Sequence, residues 1–180
     1  YARYLSLQKQ TRVKAVTILY SSKTNVSISS AQLQQAYTLA RIINHIQGFE
    51  LIKAAAKTYQ WKINLGELAR IWTNGCIIRS ALMEQLINIT GTDELLLHPF
   101  VIKEVNHNIK ALKEVVSDCN QNGFAIPALS EALNYINGIS TAASAMNLIQ
   151  AQRDYFGAHT YERIDDASGK AYHTDWKNIK

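Results

Sequence analysis

Asn147-Leu148-Ile149-Gln150-Ala151-Gln152-Arg153-Asp154-Tyr155-Phe156-Gly157-Ala158-His159-Thr160-Tyr161 is the stretch around which the rest of the chain is organised. It reads as the last turns of a helix that stops at Gly157, since glycine takes the left-handed turn after a helix without the penalty a Cβ brings. Arg153 then falls on the final turn and His159 on the segment leaving it. Six residues apart, they would not share one face of a continuous helix, where neighbours are three and four apart. A helix that ends between them lets both point at one spot. A guanidinium fork beside an imidazole suits a phosphate or a carboxylate.

Working outward, the pattern upstream is helical nearly throughout. From Tyr1 to about Tyr20, Leu5, Val13, Val16, Ile18 and Leu19 are interleaved with Lys9, Arg12 and Lys14 without Gly or Pro, which predicts a helix with one buried and one wet face. Ser21 to Ser27 is a polar loop, and Ser29 or Ser30 can cap a long helix reaching about Tyr59. Leu33, Tyr37, Ala40, Ile42 or Ile43, Ile46, Phe49 and Ile52 step by three and four along it, as in a core helix, and His45 reads as structural. Asn64 to Glu67 starts a short helix ending near Trp72, and Asn74-Gly75 supplies a turn. Ser80 to Ile89 is amphipathic and is followed by a Gly91-Thr92-Asp93 loop.

Pro99 suits the first turn of a helix running from Phe100 to about Gln121, with Val101, Val105, Ile109, Leu112, Val115 and Val116 inward and Asn122-Gly123 at its end. Ile126-Pro127 opens another helix to about Tyr135, with Gly138 as a bend or break. The small residues from Ser140 to Ala145 would allow close helix approach. Past Thr160, Asp165, Asp166, Ser168 and Gly169 make a turn between residues 161–164 and 171–173 that permits a short hairpin. The expected fold is all-α, a multi-helix domain with a C-terminal tail. That tail carries Tyr161, Tyr172 and Trp176 and is too apolar to stand in water undocked.

At 180 residues and 47% hydrophobic composition, the chain is long enough for one globular domain with a core. Its net charge of +5 is spread over scattered Lys and Arg with no basic face interleaved with aromatics, which argues against nucleic acid. The charge suits an anionic small molecule, and ordinary solubility suits it best. Cys76 and Cys119 have neither metal spacing nor a disulfide framework, as in a reducing cytosol, and Cys76 reads as packing rather than as a nucleophile. His98 and His107 lack ligand-spaced partners, so no metal is expected. No apolar run approaches the roughly 20 residues of a membrane span, and no signal peptide opens the chain, so no membrane is expected and the location is read as cytoplasmic. No Gly-rich loop follows a strand, so these residues alone should not bind a dinucleotide in the Rossmann manner. The opening Tyr1-Ala2-Arg3 has no Met and begins mid-pattern, as expected for a piece of a longer polypeptide.

The run Gln150 to Tyr161, continued by Glu162-Arg163-Ile164-Asp165 and closed by His173-Thr174-Asp175-Trp176, resembles the C-terminal signature of the decarboxylating 6-phosphogluconate dehydrogenases. Tyr1-Ala2-Arg3-Tyr4-Leu5-Ser6, with Arg12 and Ala15 in register, resembles a second family segment, and Gly75-Cys76-Ile77-Ile78-Arg79-Ser80 a third. Thr73-Asn74 stand where the family usually has Arg-Gly, and a Pro common in the Ala-rich connector is missing. The resemblance implies a helical domain, residues 1–160, that binds substrate and dimerises, and a tail, residues 161–180, that docks on the partner subunit of a homodimer. It implies an enzyme of the pentose phosphate pathway that oxidises and decarboxylates 6-phosphogluconate to ribulose 5-phosphate and carbon dioxide. NADP would be bound mainly by an N-terminal domain outside these residues. The catalytic Lys and Glu would lie upstream too, which leaves no catalytic residue in this chain and makes it inactive alone.

Arg3, Arg153 and His159 are the implied substrate contacts, the last two acting in the partner subunit's site. Two other readings stay open. One is a non-catalytic dimerisation module diverged from the family, which would have no physical need for all three of those side chains. The other is a related β-hydroxyacid dehydrogenase acting on another acid, whose substrates mostly lack a phosphate.

Overall fold

Ser29 sets where the longest helix begins. Its hydroxyl accepts from the Gln32 backbone N–H at 3.2 Å while Gln32 Oε1 accepts from the Ser29 N–H at 2.9 Å, a reciprocal capping box. In the computed structural model, which describes residues 2–19, 23–91 and 94–178, helix α3 follows from Ser30 to Tyr59. Two shorter helices precede it, α1 (Ala2–Leu7) and α2 (Lys9–Ile18). After it come α4 (Leu65–Trp72), α5 (Ala81–Ile89), a 3-10 turn at Leu95–Leu97, α6 (Pro99–Gln121), α7 (Pro127–Ile139) and α8 (Met146–Gly157). Strands β1 (Tyr161–Glu162) and β2 (Ala171–Tyr172) close the chain as an antiparallel hairpin, with Tyr161 opposite Tyr172. The all-α expectation and the tail hairpin both hold. The expected helix start at Tyr1 and end at Tyr20, the Ser21-Ser22 part of the polar loop and the Thr92-Asp93 loop lie outside the described residues.

The chain forms two compact units, residues 1–136 and residues 137–180. The first is built on α3 packed along α6. Ala36, Leu39, Ala40 and Ile43 of α3 meet Leu112, Val115, Val116 and Cys119 of α6 and Ala132 and Ile136 of α7 in one buried cluster. Further along α3, Ile42, Ile46 and Phe49 meet Ala69, Met83, Leu86, Ile89, Leu95 and Val101 in a second. Local signals place the helices that supply these residues. Asn64 caps α4 through Glu67 N, Ser80 caps α5 through Met83 N, and His98 Nδ1 accepts from Phe100 N with Pro99 in the first turn of α6. Gly66 lets α4 approach α5, because a Cβ there would sit 3.1 Å from the Ile87 carbonyl oxygen.

Several expectations are corrected. The N-terminal segment breaks at Gln8, where Arg12 Nε donates to the Leu5 carbonyl at 2.9 Å, and α2 buries no residue. Val13 and Val16, three apart, share a face of α2, Ile18 lies off that face and Leu19 is already extended beyond the helix, so they make no long apolar stripe. All four are exposed. On α3 the buried strip runs through Ala36 and Leu39, so Leu33 and Tyr37, on the neighbouring strip, are exposed. Helix α7 passes through Gly138 to Ile139. The small residues from Ser140 to Ala145 form no helix; Ser144 Oγ accepts from Met146 N at 3.0 Å as α8 begins. Cys76 is half-buried rather than packed away. Among the described residues no helix is long and apolar enough to cross a membrane.

Replacing Phe49 with Ala tests the second cluster. The ring is 1% exposed and lies 5.5 Å from the Trp72 ring, so the change is expected to lower stability by about 3–5 kcal/mol, read by urea unfolding followed through Trp emission. A loss under about 1 kcal/mol would show that α4 and α5 do not fold cooperatively with α3.

Candidate functional site

Helix α8 includes Gly157, and the left-handed residue is Ala158, at φ 50° and ψ 40°, whose N–H closes on the Asp154 carbonyl at 2.9 Å. This corrects the reason for the glycine. His159 folds back over it, and a Cβ on Gly157 would lie 2.9 Å from His159 Cδ2 and 3.0 Å from Nε2. Glycine here leaves room for the His159 ring, and the left-handed residue is the next one.

Asp154, on the last turn of α8, is 0% exposed and holds the segment that follows. Its Oδ1 accepts from Thr160 N at 2.9 Å and lies 3.0 Å from His173 Nδ1; its Oδ2 accepts from Thr174 N at 3.0 Å and Trp176 Nε1 at 2.8 Å. A carboxylate offers about four lone-pair positions, and here all are filled. Burial pushes its carboxyl up, but the bonds from Thr174, His173, Trp176 and Thr160 outweigh burial and hold it well below the usual range. Asp166 is pulled down to about 2, chiefly by the Tyr172 hydroxyl and then by the Ser168 N–H. Arg163 pairs with Asp165 and lies 5.5 Å over the Tyr172 ring, while Lys170 Nζ lies 4.9 Å from the same ring.

Of the residues singled out in the sequence, this arrangement places Arg153 and His159 on either side of the helix end. Both are exposed. Arg153 Nη1 donates to Gln150 Oε1 at 3.1 Å, and its other guanidinium donors meet no protein acceptor among the described residues. The His159 ring stands edge-on to Phe156 at 5.8 Å and lines a cavity of about 360 Å³ with Gln150, Thr160, Tyr161, Glu162 and Ala171. Arg3 lies on α1 in the other unit, exposed, where its carbonyl accepts from Ser6 Oγ at 2.7 Å. Sequence reasoning missed Asp154 and Gln150. An acid in the last turn of a helix opposes the helix dipole, and that was the available sign that Asp154 is committed elsewhere. Among the described residues no cluster of three or more His, Cys, Asp or Glu side chains is placed to hold a metal.

The described elements are thus helices but for a short hairpin, which is fastened to the last helix of the second unit. Residues 1–176 match the family model described as 6-phosphogluconate dehydrogenase, C-terminal domain, and the chain belongs to that family. Among its relatives is the decarboxylating 6-phosphogluconate dehydrogenase of Escherichia coli (strain K12), 36% identical over 184 residues that cover 98% of this chain and 39% of that protein. The enzyme of the same description from Drosophila melanogaster is 37% identical and covered to 38%. A solved Plasmodium falciparum 6-phosphogluconate dehydrogenase, studied in apo form and in complex with NADP+ and with 6-phosphogluconate, superposes with a TM-score of 0.84 at 34% identity, over 97% of this chain and 39% of that one. The chain spans about two fifths of the length of these relatives.

Two outcomes follow from the geometry. A carboxylate depressed in the folded state contributes stability that is intact above its ordinary value of 3.8 and is lost as pH falls through the folded value. The hairpin should therefore stay attached from pH 7 to about 4 and loosen progressively as pH falls further, through the folded value of Asp166 and then that of Asp154, followed by amide resonances of residues 160–176. Detachment already complete at about pH 5 would show that the carboxylates do not hold it. Separately, Gly157→Ala should displace the His159 ring while keeping α8, seen as a shifted imidazole resonance with unchanged helical circular dichroism. An unmoved imidazole would refute the close-approach role.

Proposed function

We propose that this chain is the substrate-recognising, dimerising C-terminal part of an NADP-dependent dehydrogenase, one that oxidatively decarboxylates 6-phosphogluconate to ribulose 5-phosphate and carbon dioxide. The observation that carries this reading is the pair Arg153 and His159, exposed on one helix end with unspent donors, in a chain of this family. Arg153 offers the phosphate dianion a planar fork of charged N–H groups, and His159 gives a further hydrogen bond to the phosphate or an adjacent hydroxyl. Arg3 is assigned to the same phosphate on its place in the second family segment. No general base is assigned within this chain.

Among the described residues the strands are two-residue pieces of the tail hairpin, and neither leads through a glycine loop into a helix as in the cradle of an NADP site. We assign that site mainly to a further domain. Arg153 and His159 are assigned to the site of the partner subunit in a homodimer. The exposed apolar side chains Leu148, Ile149, Tyr155 and Phe156 of α8, and Ile164 of the tail, suit burial against a second copy. A tail of residues 161–180 docking on the partner and a cytoplasmic location belong to the same reading.

The test is NADPH formation from 6-phosphogluconate by the full-length product containing this stretch, with the 180-residue chain assayed beside it. Activity in the longer protein and none in the chain alone is expected. Arg153→Ala in the longer protein removes a charge-assisted contact of about 1.5–3 kcal/mol and should weaken substrate binding by roughly one to two orders of magnitude while leaving the fold intact. No NADPH from the longer protein would overturn the reading in favour of a diverged dimerisation module or another acid as substrate.

A further inference from the structure

Gln150 stands one helical turn before Arg153 and touches both halves of the candidate site. Its Oε1 accepts from Arg153 Nη1 at 3.1 Å, and its Nε2 donates to the carbonyl of Thr160, the residue after His159. Thr160 is thereby held through both of its backbone groups, since its N–H goes to Asp154 Oδ1 at 2.9 Å. It needs holding. Thr160 sits at φ 62° and Ala158 at φ 50°, so His159 is bracketed by two left-handed residues that carry side chains, one of them β-branched. Such conformations persist only where the surroundings over-determine them. Half-buried, Gln150 also lies in the wall of the cavity that His159 lines.

We propose that Gln150 is a positioning residue for anion recognition: it locks the Arg153 fork and the His159 segment in fixed relation, so that both meet one phosphate group. This rests on the phosphate site proposed above. The chemistry asks for an amide at this position. It must accept from a guanidinium and donate to a carbonyl at once, and it must stay neutral so that Arg153 keeps its whole charge for the substrate. A carboxylate would still accept from Arg153, but it would repel the Thr160 carbonyl and compete with the phosphate for the guanidinium. A thioether of similar length makes neither bond.

The experiment is calorimetric titration of 6-phosphogluconate into the full-length protein, comparing wild type, Gln150→Met, Gln150→Glu, Arg153→Ala and the double variant Gln150→Met/Arg153→Ala, each with a melting curve. Gln150→Met should weaken binding by about three- to tenfold without lowering the melting temperature appreciably, and Gln150→Glu, of unchanged size, should weaken it more. The penalty of Gln150→Met should shrink in the Arg153→Ala background, because much of it acts through that arginine. If Arg153→Ala weakens binding but both Gln150 variants bind as wild type, or the losses are simply additive, the phosphate site stands and the positioning role is overturned. If Arg153→Ala binds as wild type, the phosphate site itself falls, and this role with it. Gln150→Glu decides the matter should Gln150→Met unfold.

Discussion

One buried carboxylate organises the C-terminal unit. Asp154 takes four hydrogen bonds from residues six to twenty-two positions further along, and every one of them comes from the segment that follows α8. A charge with no exposed surface is tolerated only when its lone pairs are matched, and here the matching draws the chain back onto its own helix. The hairpin is too short to be stable from two pairs of strand residues alone. It is held instead by Asp154, by the Tyr161 hydroxyl bonded to Thr174, and by the Tyr172 ring lying beneath Arg163 and Lys170. The same carboxylate fixes Thr160, and through it the backbone that presents His159.

The first unit rests on a different principle. Its two clusters share α3 and α6, and nearly all their contacts are apolar, so what it requires is complementary volume along two long helices. Polar contacts supplement this packing, some within one helix and some between distant parts of the chain. Asn108, 3% exposed, spends its amide on Glu104 of its own helix, and the N–H of Ser27, before α3, reaches the Asp118 carboxylate of α6 at 2.7 Å.

The sequence was legible wherever the cause is local. Ser29, Asn64, Ser80 and Pro99 announce helix starts because each acts within three residues of itself. The run from Gln150 to Tyr161 identified the family because it is long and unusual in composition. Burial on α1 and α2 was not legible. A short apolar face is written in the residue spacing, but whether another element of the chain covers it is not, and here none of the described ones does. Leu33 and Tyr37 misled for a related reason, since a helix thirty residues long carries more than one apolar strip and packing selects among them. Asp154 stayed hidden because its partners are distant in sequence and include two backbone amides, which leave no trace in residue identity. Gly157 was recognised as necessary for the wrong physical reason. The contact that a Cβ would disturb belongs to a ring two residues on.

A tail fastened to its own helix also alters what an encounter with another surface would require. A segment that stays disordered until it docks must surrender its conformational freedom at the moment of association, and affinity is diminished by that amount. Here residues 160–176 find their anchor within the chain, since Asp154 completes its set of donors without help from outside. The tail therefore meets any complementary surface as a preformed shape. Assembly through it would follow the kinetics of rigid docking, limited by orientation and diffusion, and not those of coupled folding and binding.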